Sequence, residues 1–148
     1  MEFKKVKRNF RMVGLKGSGP FIDFGTDVPK LAQKILNRLD ELEIRSITEI
    51  ALFEPKKDEN HLEGSYVVGV IVQEPLTDVP IGMVYTETEQ HYVTTRGSMK
   101  DLGNLHNYLL KWSEDQGHKR NLESYIIETY HPIDNGEEEV EIYLPIHT

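Results

Sequence analysis

Leu122–Ile146 reads LESYIIETYHPIDNGEEEVEIYLPI, and this stretch decides the fold. Two β-rich runs flank Asp134-Asn135-Gly136, and Asn-Gly between two such runs is a strong hairpin signal. Successive side chains on a strand alternate faces. Ile126, Glu128 and Tyr130 therefore share one face, and Tyr125, Ile127 and Thr129 the other. In the second strand Val140, Ile142 and Leu144 form a continuous apolar face, with Glu141 and Tyr143 pointing oppositely. One side of the hairpin suits a core and the other carries carboxylates and phenols. Glu128 interrupts an otherwise apolar strand. A dry, unpaired carboxylate is costly, and burial raises its pKa. Two readings follow: Glu128 lies on a wetted face or pairs with a Lys or Arg, or it forms the floor of a pocket lined by aromatic residues.

Working outward, the chain has 148 residues, enough for one domain spanning 1–148 with a real core. Hydrophobic content of 38% and charged content of 28% indicate a globular chain rather than a disordered one. No apolar run approaches the ~20 residues of a membrane span, so no membrane partner is expected. The N-terminal MEFKKVKRNFRMVG has no apolar core and is not read as a secretory signal. The absence of cysteine removes disulfides, thiolate metal sites and a Cys nucleophile, and fits a cytoplasmic location. The net charge of −8 argues against direct nucleic-acid binding, which leaves a basic footprint. The basic cluster Lys4, Lys5, Lys7, Arg8 and Arg11 falls on both faces of a strand and reads as a solvated edge.

Along the chain, Phe3 to Leu15 reads as a first strand, broken by Lys16-Gly17-Ser18-Gly19-Pro20. Thr26 or Asp27 caps a helix with Pro29 in its first turn. Val28, Leu31, Ala32, Ile35, Leu36, Leu39 and Leu42 make its apolar stripe. Ser46 to Phe53 and Tyr66 to Val72 are strands, with Gly69 marking a bulge or close backbone approach. Residues 73–81 form a connector. Met83 to Tyr85 and Gln90 to Thr95 give further β structure. Ser98 and Asp101 resemble a capping box, and Met99, Leu102, Leu105, Leu109 and Trp112 continue at helical spacing to a stop at Gly117.

The order strand, helix, strand, strand thus occurs twice, in pseudo-repeats of about 1–73 and 82–148. Lys16-Gly17-Ser18 answers Arg96-Gly97-Ser98, and Ile50 to Pro55 answers Ile127 to Pro132. In this alignment Ala51 occupies the position of Glu128. Two helices cover one face of such a sheet, so a ligand site belongs on the opposite face or in the groove where the halves meet.

The chain resembles the GyrI-like (gyrase-inhibitor-like) effector-binding domains, the small-molecule sensing modules of AraC-type and MerR-type regulators that also occur alone. The resemblance rests on Tyr66-Val67-Val68-Gly69-Val70, Tyr92-Val93-Thr94-Thr95-Arg96-Gly97, the helical segment Tyr108 to Trp112, Glu128-Thr129-Tyr130, and Val140 to Ile146. It implies an α+β fold: a duplicated strand-helix-strand-strand repeat, an antiparallel sheet with two main helices on one face, and a central ligand cleft. It implies that Glu128 and Tyr130 sit in that cleft and receive hydrophobic, cationic or polyaromatic small molecules. Trp112 matches a tryptophan common in the second helix, and Tyr143 completes the expected ligand-binding set with Glu128, Tyr130 and Trp112. Standalone relatives suggest two alternatives: hydrolysis of cyclopropane-type xenobiotics with Glu128 and Tyr130 as catalytic residues, or a protein-binding modulator of DNA gyrase. A helix-turn-helix segment is not found in this sequence, so transcriptional control through its own DNA contacts is not carried over.

Other chemistry has less support. None of His61, His91, His106, His118, His131 and His147 forms an HxH or HxxxH pair, so no metal and no cofactor is expected. His131 reads as a hydrogen-bonded structural residue. Trp112 lies on the apolar stripe of its helix, which gives it a core reading beside the ligand one. Glu128 with Tyr130 is compatible with general acid–base chemistry or with a passive counter-charge for a cation.

Overall fold

A computed structural model describes residues 2–41 and 48–147, and the side chains of residues 39–41 lie outside that description. Among the described residues six strands and two main helices follow in order: β1 (Lys4–Pro20), α1 (Phe24–Glu41), β2 (Glu49–Phe53), β3 (Glu63–Ile71), β4 (Val84–Ser98), α2 (Leu102–Asp115), β5 (Ile126–Pro132) and β6 (Glu138–Ile146). Short 3-10 turns, Phe21–Asp23 and Met99–Asp101, lead into the helices. The order strand, helix, strand, strand therefore occurs twice. The expectations for Leu39, Leu42 and Ser46 fall outside the described residues.

All strand pairing is antiparallel in the order β1-β3-β2-β5-β6-β4, and β4 pairs back onto β1 to close a barrel. Period-two alternation divides the strands between two cores. Inward-facing Phe10, Met12, Ile50, Leu52, Val67, Tyr92, Ile127 and Tyr143 fill the barrel. The Phe10, Tyr92 and Tyr143 rings meet edge to face with centroids 5.0–5.8 Å apart, the geometry that aromatic quadrupoles favour. Outward-facing residues meet the helices. Val28 and Ile35 of α1 pack on Val13, Ala51, Val68 and Val70. Leu105 and Leu109 of α2 pack on Val93, Val140, Ile142 and Leu144. The two helices thus lie on the same, outer face of the sheet.

The closure depends on a close approach. Gly14 and Gly69 are register partners on β1 and β3. A Cβ on Gly69 would stand 1.9 Å from the Val13 carbonyl oxygen, and one on Gly14 would stand 2.2 Å from that of Val68. The expected close approach at Gly69 is therefore present.

Several local expectations are corrected. Lys16 to Pro20 does not break β1; it continues the ladder to Pro20 opposite Glu63, with Gly17 leaving room for the Tyr66 ring. The two expected pieces around 83–95 are one strand. Its polar middle is held to β1 by Lys7–Glu89 and Arg11–Glu87 ion pairs at 3.2 and 3.6 Å. Helix α1 starts at Phe24, upstream of the expected cap, and encloses Pro29. The Phe24 ring lies 5.1 Å from Phe21 and 5.0 Å from Tyr66, so aromatic packing draws the helix start toward the barrel.

The register of the last hairpin is also corrected. Asn135 and Gly136 both take φ of 72°, and Ile133 N–H donates to the Glu137 carbonyl at 2.9 Å. This turn sets Glu128 opposite Ile142 and Tyr130 opposite Val140. Glu128 and Tyr130 therefore share a face with Val140 and Ile142, and Tyr143 belongs to the barrel interior.

Candidate functional site

Helices α1 and α2 do not meet over the middle of the outer face. Between them lies a cavity of about 540 Å³, floored by β2 and β5. Helical spacing brings Phe24, Val28 and Ala32 of α1 to one wall, while Leu102 and His106 of α2, with Met99 before it, form the other. Phe53, Ile126, Glu128 and Tyr130 come from the floor strands. Phe24 and Phe53 approach with centroids 6.1 Å apart. Tyr130 packs against both helix-bearing clusters and so bridges the two walls.

Glu128 is 5% exposed on this floor. Strand alternation turns it outward, toward the helices, while its neighbours Ile127 and Thr129 point into the barrel. Across the β2–β5 ladder its register partner is Ala51. The Tyr130 hydroxyl donates to Glu128 Oε1 at 2.7 Å, and His106 Nε2 lies 2.6 Å from Oε2. Among the described residues no Lys or Arg forms an ion pair with it; His106 is its partner. Glu128 is thus off the wetted surface, and among the described residues it has no Lys or Arg partner.

The surrounding electrostatics are negative. Glu49 and Glu138 also line the cavity. Burial, and then the nearby Glu138 charge, push the Glu49 carboxyl above its ordinary value. Burial, followed by the Glu128 charge, holds the Tyr130 phenol well above its ordinary value, so it stays a proton donor. At the cavity edge the Ser65 backbone N–H, at 2.9 Å, pulls the Glu54 carboxyl down.

The structure brings together Glu128 and Tyr130 and leaves the other two expected residues elsewhere. Trp112, on α2, stacks on Phe3 with centroids 5.6 Å apart and lies near His118. Tyr143 is 4% exposed inside the barrel, with its hydroxyl donating to Glu141. His131, expected as structural, meets the Thr129 hydroxyl at 2.8 Å. His106, Phe24 and Phe53 were missed. The available signal for His106 was its place four residues after Leu102, on the same face of α2.

The comparisons fit this geometry. No curated protein matches the sequence. Among solved structures, SAV2435 bound to tetraphenylphosphonium superposes with a TM-score of 0.74 at 13% identity, over 99% of this chain and 94% of that one. A subunit of an EcmrR–DNA complex gives 0.70 at 15% identity, over 99% of this chain and 58% of that one. A hydrolase from Listeria innocua gives 0.60 at 8% identity, over 99% and 92%. These likenesses establish the fold. No described helix is long and apolar enough to cross a membrane. The model of the GyrI-like small molecule binding domain matches residues 1–147, and the chain belongs to that family.

Proposed function

We propose that this protein binds a hydrophobic cation in the cavity between α1 and α2, with Glu128 as the counter-charge. The observation that carries this reading is a nearly buried carboxylate on the floor of an apolar cavity, without a Lys or Arg partner among the described residues. A buried carboxylate costs free energy unless it is paired. Tyr130 and His106 offset part of that cost, and a cation seated over the floor offsets more. The Phe24, Phe53 and Tyr130 rings add the electron-rich faces that attract cations. The tetraphenylphosphonium held by SAV2435 on the same fold is a ligand of this chemical class.

Titration calorimetry with tetraphenylphosphonium, beside tetraphenylborate as the matched anion, tests the reading. The cation is expected to bind and the anion to bind at least tenfold more weakly. Glu128→Gln is expected to weaken the cation by ~1–3 kcal/mol, the scale of a charged hydrogen-bonding group. The melting temperature should hold or rise, because no Lys or Arg among the described residues loses a partner. Equal affinity for the two ions, or a collapse in melting temperature with affinity unchanged, would overturn it.

A second reading has one observation in its favour. The His106–Glu128 contact of 2.6 Å is an acid–base pair inside a ligand-sized cavity, and such a pair can activate water for hydrolysis of a strained electrophile. Glu128→Gln would then abolish turnover of a cyclopropane substrate while leaving its binding intact.

A further inference from the structure

Both oxygens of Glu128 have partners within the chain. Tyr130 donates its hydroxyl to Oε1 at 2.7 Å, and His106 Nε2 holds Oε2 at 2.6 Å. The Glu128 side chain is 7% exposed. Glu128 is a carboxylate on the cavity floor, but one acceptor site on each of its oxygens is already taken by a neighbour. The two properties separate two kinds of cation. A quaternary ammonium or phosphonium needs charge and aromatic surface and has no N–H to satisfy. A protonated amine must also find an acceptor, and an unpaired N–H in a dry site carries a desolvation penalty.

We propose that His106 and Tyr130, by each occupying one oxygen of Glu128, make the cavity selective for permanently charged cations without hydrogen-bond donors over protonated amines of the same size. This rests on the cation-binding reading above and narrows it to a ligand class. The walls fit the same class, since Phe24, Val28, Leu102 and Phe53 present carbon and aromatic surface. His106 is the adjustable member of the pair. It reaches Glu128 from α2, whereas Tyr130 is on the same strand as Glu128 and is more deeply packed. His106 is a specificity-determining residue in this arrangement; Glu128 supplies the attraction.

Three compounds carrying one diphenylpropyl group form the test: its trimethylammonium, its dimethylammonium, and its neutral tert-butyl isostere. Calorimetry at neutral pH, where the tertiary amine is protonated, is expected to give about tenfold tighter binding of the trimethylammonium than of the dimethylammonium. In His106→Leu, which frees Oε2, the ratio is expected to fall below about twofold or reverse. Tyr130→Phe frees Oε1 and should move the ratio the same way, and thermal melts identify which variant is folded. Equal binding of the two cations by the unaltered protein overturns the selectivity; the cation reading survives if both outrank the tert-butyl compound. If neither cation outranks it, both proposals fail together. A preference unchanged in both variants overturns the assignment to His106 and Tyr130.

Discussion

At the scale of residues, the cavity holds carboxylates in different circumstances. Glu128 has hydrogen-bonding partners, whereas Glu49 is desolvated beside the charge of Glu138. The Glu49 carboxyl, raised above its ordinary 4.5, binds its proton more tightly in the folded chain than in the unfolded one. Its contribution to stability is complete below about pH 4.5 and is lost as pH rises through the folded value. Glu49→Gln removes that loss. The melting temperature of this variant relative to the parent protein should therefore climb as pH is raised from about 4 to 7. A difference that stays flat across that range would mean Glu49 is not strained by its surroundings. The same residues show what a sequence reveals. Glu128 was legible because one charge breaks an apolar run whose period is two. His106 was not, because a lone histidine on a helix resembles any other until a partner on a distant strand is known. Phe24 and Phe53 carried no signal of a cavity in the sequence, because core packing and cavity lining use the same residue type.

At the scale of elements, the long β1 must leave β4 and join β3 within one strand, sharing Met12 to Gly14 with both. The Gly14–Gly69 contact sits at that transfer point. Gly69→Ala would force a Cβ against the Val13 carbonyl, and backbone on both strands would have to move. Overpacking in a closed core costs ~1–3 kcal/mol even against side chains, so a loss at or above the top of that range is expected in urea unfolding. A loss below about 0.5 kcal/mol would show that the strands separate freely there. The helices and most strands were legible from periodicity. The closure was not, because the β1–β4 pairing joins residues far apart in sequence through polar positions such as Arg11 and Glu87, which carry no apolar signature. The side of the hairpin facing the helices also depended on a register that the turn alone decides.

At the scale of the whole molecule, the net charge of −8 surrounds a cavity that is itself acidic. A long-range field acts on approach and is screened by salt, while the contact with a buried group is screened far less. Raising the salt concentration should therefore slow association of tetraphenylphosphonium several-fold and leave its dissociation rate nearly constant in stopped-flow measurements. A dissociation rate that moves in step with association would place the dominant attraction at the surface rather than on the floor.

The strand order β1-β3-β2-β5-β6-β4 reads the same from either end when β1, β2 and β3 are exchanged for β4, β5 and β6. The axis of that exchange runs between β2 and β5, where Ala51 faces Glu128. Turning a guest end for end thus exchanges the α1 wall for the α2 wall, while Glu128 stays near the axis. A guest with its positive centre in the middle and two arms reaches both walls at once from that axis. A guest charged at one tip reaches only one wall from that axis. On the cation-binding proposal, calorimetry should therefore show tighter binding of a propeller-shaped guest with a central charge than of a tip-charged rod of equal surface.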